Sequence, residues 1–195
     1  MPDKHSGAGH LRQDVRPCTC DSDGAESLCF CGHPLRLREL KANDRARLEA
    51  LLTQVAAPDL QMRFSAAFRG VPPGLLDQLM RIEPKQRVTV AAVLETGARD
   101  VNGEIVGVAR AHRVEGATAE AALLVRSDLK GQGLGSMLLS RLIARCRERG
   151  ISRLIADVMR CNGRMLHLAE KYGFRYESAE DDTCHLVLDL SAQGA

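Results

Sequence analysis

The sequence predicts a single α/β or α+β domain built around one sheet. Three observations carry this. Residues 123–136 read as an apolar strand, a turn with glycine at alternate positions, and a helix start. Strand, helix and strand patterns follow over 151–158, 163–171 and 184–190. Upstream, two apolar runs over 88–94 and 105–111 flank the turn residues Asp100, Val101, Asn102 and Gly103, as in an antiparallel hairpin. A chain of 195 residues holds one domain of ordinary size plus some extra sequence.

Each element has its own signal. Residues 1–33 are polar, rich in Gly, Ser and Asp, and lack apolar periodicity, so they read as a Cys-containing, disordered or weakly ordered extension. The domain spans 34–190, with a tail over 191–195. Leu35, Leu37 and Leu40 suggest a first strand. Asn43 or Asp44 is placed to cap a helix with Leu48, Leu51, Leu52 and Val55 on one face. Residues 60–68 read as a connector, and Pro72-Pro73-Gly74 opens a helix using Leu75, Leu76 and Leu79. After the hairpin, a turn at Gly116 leads to a strand from Glu120 to Val125. The helix behind the glycine turn carries Leu134, Met137, Leu138, Leu142 and Cys146 at helical spacing and stops at Gly150.

The glycine turn bears the chemistry. Gly131, Gly133 and Gly135 let main-chain N–H groups converge at a helix N-terminus, which suits a phosphate. A Walker loop is excluded because Lys130 precedes the glycines instead of following them. A dinucleotide fingerprint needs its third glycine one place later, although Asp157 stands at the distance of a ribose ligand. A helix entry that simply needs small residues is the remaining alternative.

Lys130-Gly131-Gln132-Gly133-Leu134-Gly135 resembles the pyrophosphate loop of the GNAT superfamily of N-acetyltransferases, Gln/Arg-x-x-Gly-x-Gly/Ala. Lys130 stands where the family usually has Gln or Arg, which keeps a cation but loses a planar fork of donors. A second segment, from Asn162 through Met165, Leu168 and Lys171 to Gly173-Phe174, resembles the family's later motif. Two motifs in order are more specific than either alone. The resemblance implies a GNAT fold over about 35–190, with a mixed sheet of six to seven strands flanked by about four helices. It also implies acetyl-CoA as co-substrate.

Arg63-Phe64, Ile82-Glu83 and the run from Ile105 to Arg110 look like the GNAT domain of Pat-type bacterial protein-lysine acetyltransferases. That resemblance implies that Glu120, on the strand leading into the loop, is the general base. Glu120 stands among Ala, Leu and Val, so the strand is expected to bury one of its faces, and burial makes a carboxylate a better base; an edge or strand-end glutamate facing solvent is the alternative. The resemblance further implies that main-chain groups of Leu123 and Val125 hold the pantetheine arm and that Leu124 N–H stabilises an oxyanion. Lys130, Gly131, Gly133, Gly135 and Ser136 would hold the pyrophosphate, and Asn162 the far side of CoA. Asn162 equally suits an N-cap. Many GNAT enzymes protonate the leaving thiolate with a Tyr that is Ala169 here; Tyr172 or a water are the substitutes.

Composition narrows the rest. A net charge of +2 and an aromatic content of 3% give no nucleic-acid surface. No apolar run has the length of a membrane span and residues 1–5 lack a signal-peptide core, so a cytoplasmic protein, monomer or homodimer, is expected. Cys18, Cys20, Cys29 and Cys31, with His33, form Cys-x-Cys pairs that fit an oxidation-sensitive leader better than the wider spacing of structural zinc sites, so no metal is expected. His112 and His167 read as packing or surface residues. The expected activity is acetyl transfer to a primary amine, a protein lysine first, with a small-molecule amine or a non-catalytic acyl-CoA-binding module as alternatives.

Overall fold

The computed structural model describes residues 28–30, 32–64, 74–81, 83, 85–95 and 103–191. Eight strands form one sheet: β1 (Leu28–Phe30), β2 (His33–Arg38), β3 (Arg87–Leu94), β4 (Glu104–Glu115), β5 (Thr118–Val125), β6 (Arg153–Met159), β7 (Arg175–Glu180) and β8 (Thr183–Asp189). Their spatial order is β1-β2-β3-β4-β5-β6-β8-β7. Every neighbouring pair is antiparallel except β5 and β6, which are parallel. A parallel pair needs a crossover, and the helix after the glycine turn supplies it.

Five helices cover the sheet: α1 (Arg45–Thr53), α2 (Ala57–Phe64), α3 (Leu75–Met80), α4 (Leu134–Glu148) and α5 (Gly163–Lys171). On one face Leu48, Leu51, Leu52, Leu60, Leu75 and Leu79 of α1–α3 pack on Ala91, Val93, Ile105, Val108 and Leu124. On the other, Leu134, Leu138, Leu139 and Leu142 of α4 pack on Val90, Ala109, Ala121 and Leu154. Each buried leucine contributes about 2 kcal/mol. Helices on both faces explain why β3 is almost continuously apolar rather than alternating.

Three elements differ from the sequence pattern. β7 is exposed along nearly its whole length, so no apolar alternation marks it; it is held by its ladder to β8. β1 lies within the stretch read as an extension, yet Leu28 pairs with Leu35 and Phe30 is buried in the core. α2 overlaps the first part of the stretch read as a connector; its eight residues make little more than two turns, too short a run to show a helical period plainly. Among the described residues the sheet thus has eight strands against the six to seven expected, and five helices against about four. The turn residues Asp100, Val101 and Asn102, Pro72, Pro73 and most of the cysteine-rich extension lie outside the described residues.

Asp44 serves a larger purpose than the expected cap. Its side chain is fully buried and makes no cap hydrogen bond. Arg38 donates to both its oxygens at 2.6 and 2.8 Å, Arg47 donates at 2.8 Å, and Lys41 N–H donates at 2.8 Å. Burial alone would raise this carboxyl, but the hydrogen bonds from Arg38, Lys41 and Arg47 outweigh it and hold it down at about 2. The arrangement fixes the end of β2 to the start of α1. Asp44→Asn is expected to cost about 3 kcal/mol in urea unfolding at neutral pH. A native pKa below the unfolded one gives stability that is complete above the unfolded value and lost as pH falls through the native one. The gap between parent and variant should therefore close as pH falls from 3.8 to about 2.

Candidate active site

The site begins where two strands part. β5 and β6 are paired only over Thr118–Glu120 against Arg153–Ile155. Both run on, to Val125 and Met159, with no ladder between them among the described residues. The edge of β5 beyond Glu120 thus faces a groove of about 1230 Å³. Glu120 sits at the closed end of this wedge, and the glycine turn lies at its open end.

Local geometry shapes the open end. Gly131 and Gly133 have φ of +78° and +89°, a left-handed backbone that favours glycine. A Cβ at Gly131 would project into open space. Gly135 is needed for a different reason: its Cβ would stand 3.3 Å from Leu123 and 3.4 Å from Leu168, where α4 crosses β5 and α5. The first turn of α4 contains no acidic residue, so its unpaired N–H groups and positive dipole end are left for an anion. Lys130, expected beside the pyrophosphate, is ion-paired within the protein. Its ammonium lies 2.5 Å from Asp59 of α2, which also accepts from Ser127 Oγ at 2.5 Å. Burial would raise Asp59, but Lys130 and Ser127 hold it below its ordinary value. This pair ties α2 to the loop as one rim of the groove. Arg164, at the start of α5, adds a cation on the opposite rim. Asn162 accepts from Met165 N–H at 3.2 Å, so it caps α5 and lines the groove at once.

The closed end is charged. Strand alternation sends Ala119 and Ala121 under α4 and turns Glu120 to the opposite face. That face opens into the groove here, and Glu120 is exposed, contrary to the expected partial burial. His112 is directly across from Glu120 on β4, and Arg87 is directly across from His112 on β3. Arg110 stands two places from His112, and Arg63 reaches in from α2 near Glu120. All nine residues anticipated from the sequence, Glu120, Leu123, Val125, Lys130, Gly131, Gly133, Gly135, Ser136 and Asn162, line this one groove. Sequence reasoning missed Asp59, Arg63, Arg87, Arg110 and Arg164. Arg63 and Arg110 stood in segments already singled out, but only the β3–β4 register and the placing of α2 bring them together.

Residues 67–174 match the acetyltransferase (GNAT) family. This chain belongs to the GNAT acetyltransferase family. It is accordingly an enzyme of the acyltransferase class. An acetyltransferase of Pseudomonas aeruginosa is 27% identical over 163 residues, covering 82% of this chain and 85% of that protein. The crystal structure of the GNAT domain of S. lividans PAT superimposes with a TM-score of 0.72 at 27% identity, over 81% of this chain and 92% of that one. A Salmonella typhimurium protein solved with acetyl-CoA has the same fold, with a TM-score of 0.62 at 20% identity, over 83% of this chain and 96% of that one. In this GNAT chain Asp157, which had kept a dinucleotide reading open, lies 2.6 Å from Nδ1 of His185 on β8.

His167 is exposed on α5 at the groove wall, and His112 is half-buried beside Glu120. Cys29 is half-buried on β1 and His33 is exposed, while Cys18, Cys20 and Cys31 lie outside the described residues. Among the described residues no helix is long and apolar enough to cross a membrane.

Tyr172 follows α5 as its C-cap, and its hydroxyl donates to the Ser136 carbonyl at 2.8 Å and lies 2.8 Å from Ser136 Oγ. It does not line the groove among the described residues. The contact fastens α5 to the first turn of α4. Tyr172→Phe should cost about 1 kcal/mol in chemical unfolding. It should change kcat less than about twofold; a loss of a hundredfold or more would instead make Tyr172 the acid of the reaction.

Proposed function

We propose that this chain transfers an acetyl group from acetyl-CoA to a primary amine by direct attack, with Glu120 as general base and a protein lysine as the first acceptor class. The observation that carries this reading is the single strand β5, which has Glu120 at the closed end of the wedge and the glycine turn just past its other end. Acetyl-CoA supplies the acetyl group as a thioester. The residues present fit it: the unpaired edge of β5 over Leu123–Val125 takes the pantetheine amides as an added strand. N–H groups at Gly131, Gly133, Gly135 and Ser136 hold the pyrophosphate, aided by the α4 dipole. The amide nitrogen of Asn162 is left to the ligand because its oxygen is engaged in the α5 cap.

An ammonium with an ordinary pKa of about 10.4 must lose a proton before it can attack. Glu120, exposed in the groove, takes that proton directly or through a water. The new bond joins amine nitrogen to acetyl carbon, the carbon–sulfur bond breaks, and a water protonates the sulfur. His112, half-buried across the strand, is positioned to order that water or the amine.

Glu120→Gln should lower kcat/KM by about 10²–10⁴ while affinity for acetyl-CoA is kept. Its rate should climb with pH toward the pKa of the free amine, because only spontaneously deprotonated amine then reacts. A variant as fast as the parent would remove Glu120 from the mechanism. Mass spectrometry after incubation with acetyl-CoA and a cell lysate reads the acceptor: acetylated protein lysines support the first class and acetylated metabolites the small-molecule class. No consumption of acetyl-CoA with any amine would leave a binding module.

A further inference from the structure

The closed end of the groove holds more positive charge than amine transfer alone explains. Arg87 and Arg110 project from neighbouring strands on the face that presents Glu120, and Arg63 joins them from α2. An amine acceptor arrives as a cation, which three guanidiniums repel. Among the groove's carboxylates Glu120 faces Arg63, Asp59 is paired with Lys130 and Asp157 is hydrogen-bonded to His185. Glu83 is exposed, and its carboxylate stands 3.5 Å from Arg87 Nε without a hydrogen bond. That Nε is buried and has no hydrogen-bond partner. Arg87 and Arg110 both donate to one peptide carbonyl, that of Gln78, at 3.4 and 3.1 Å. Burial, with Arg87 and Arg63 close by, pushes Arg110 down to about 10. Burial likewise pushes Arg63 down, with Glu120 opposing it. A crowd of partly dehydrated cations lining an open groove is the electrostatic form of an anion site.

We propose that Arg87 and Arg110, with Arg63 beside them, form a carboxylate subsite, and that the acceptor is an amine that also carries a carboxylate. The proposal rests on the amine-transfer reading and deepens it. A carboxylate has two oxygens to match a guanidinium fork. The two ends of such a molecule then sort themselves: the acid turns to Arg87 and Arg110, and the ammonium turns to Glu120. The carboxylate could belong to a free amino acid or to an acidic residue beside a peptide lysine.

Two measurements on the full chain test this. The first is acetyl-CoA consumption with amino acids against their primary amides, and with a lysine peptide bearing a neighbouring Glu against its Gln counterpart. The second is calorimetric binding, with CoA present, of N-acetylated amino acids against their amides. The acid should be preferred at least about tenfold in kcat/KM and in Kd. Arg110→Gln and Arg87→Gln should bring that ratio near one, Arg110→Lys should restore part of it, and acetyl-CoA affinity monitors the fold of each variant. Preference among amino acids assigns the free-amino-acid source, and preference among peptides the protein source. Amines acetylated without regard to the carboxylate would overturn the subsite and leave amine transfer standing. Acids bound in an arginine-dependent way with no amine acetylated would uphold the subsite and remove amine transfer. No amine acetylated and no acid bound would overturn both.

Discussion

The rest of the site depends on how little of β5 and β6 is paired. A parallel ladder of three residues on each strand holds them together, and past Glu120 the strands separate. Main-chain N–H and C=O groups along an apolar strand edge want partners, and an open edge in a narrow groove offers them to a ligand that can imitate a strand. The same separation gives Glu120 its position, because the residue where pairing ends is the one held by a neighbour on both sides yet open to the space beyond. Closing the wedge by full pairing would remove both features together. The fold therefore couples ligand recognition and the carboxylate through a single backbone event.

A wedge of this kind needs rims that do not drift. On one side Asp59 receives Ser127 and Lys130, so α2 moves with the loop that precedes α4. On the other, Tyr172 binds Ser136 and Asn162 caps α5, so α5 moves with the start of α4. The first turn of α4 is thus held from two directions, which keeps its free N–H groups aimed at one point. Lys130 is the instructive case. A cation next to glycines in sequence looks like a phosphate ligand, but its charge is shared with a helix seventy-odd positions earlier in the chain, and Lys130 acts first as a strut.

Much of this was legible in the sequence because the informative signals are local. The glycine spacing, the α4 stripe, and the helix bounded by Asn162 and Gly173 are all set by neighbours within a turn or two, and α5 runs over the expected 163–171. What escaped is set by partners far away. β7 is exposed and has no apolar alternation, so only its ladder to β8 defines it. Glu120 was expected to be partly buried because its sequence neighbours are apolar; alternation buries those neighbours instead and leaves Glu120 facing the groove. The arginines at the closed end come from α2, β3 and β4, and no sequence spacing relates Arg63 to Arg87 or Arg110.

Those arginines also change how the groove works as an electrostatic object. Its open end gathers main-chain dipoles and Arg164, while its closed end gathers guanidiniums around Glu120. Gathering dehydrated like charges is unfavourable in the empty protein, as the lowered Arg110 and Arg63 record. An incoming anion relieves that cost, so part of its binding free energy comes from repulsion already present before it arrives. On the proposed mechanism Glu120 gains as well: an acceptor anchored by its acid would have its ammonium delivered toward Glu120, and the loss of a proton there would bring a nucleophile into contact with the thioester rather than with solvent. A bare amine would meet Glu120 without any contact that offsets the repulsion of Arg63, Arg87 and Arg110. On that balance, the same residues that attract a carboxylate also reject amines that lack one.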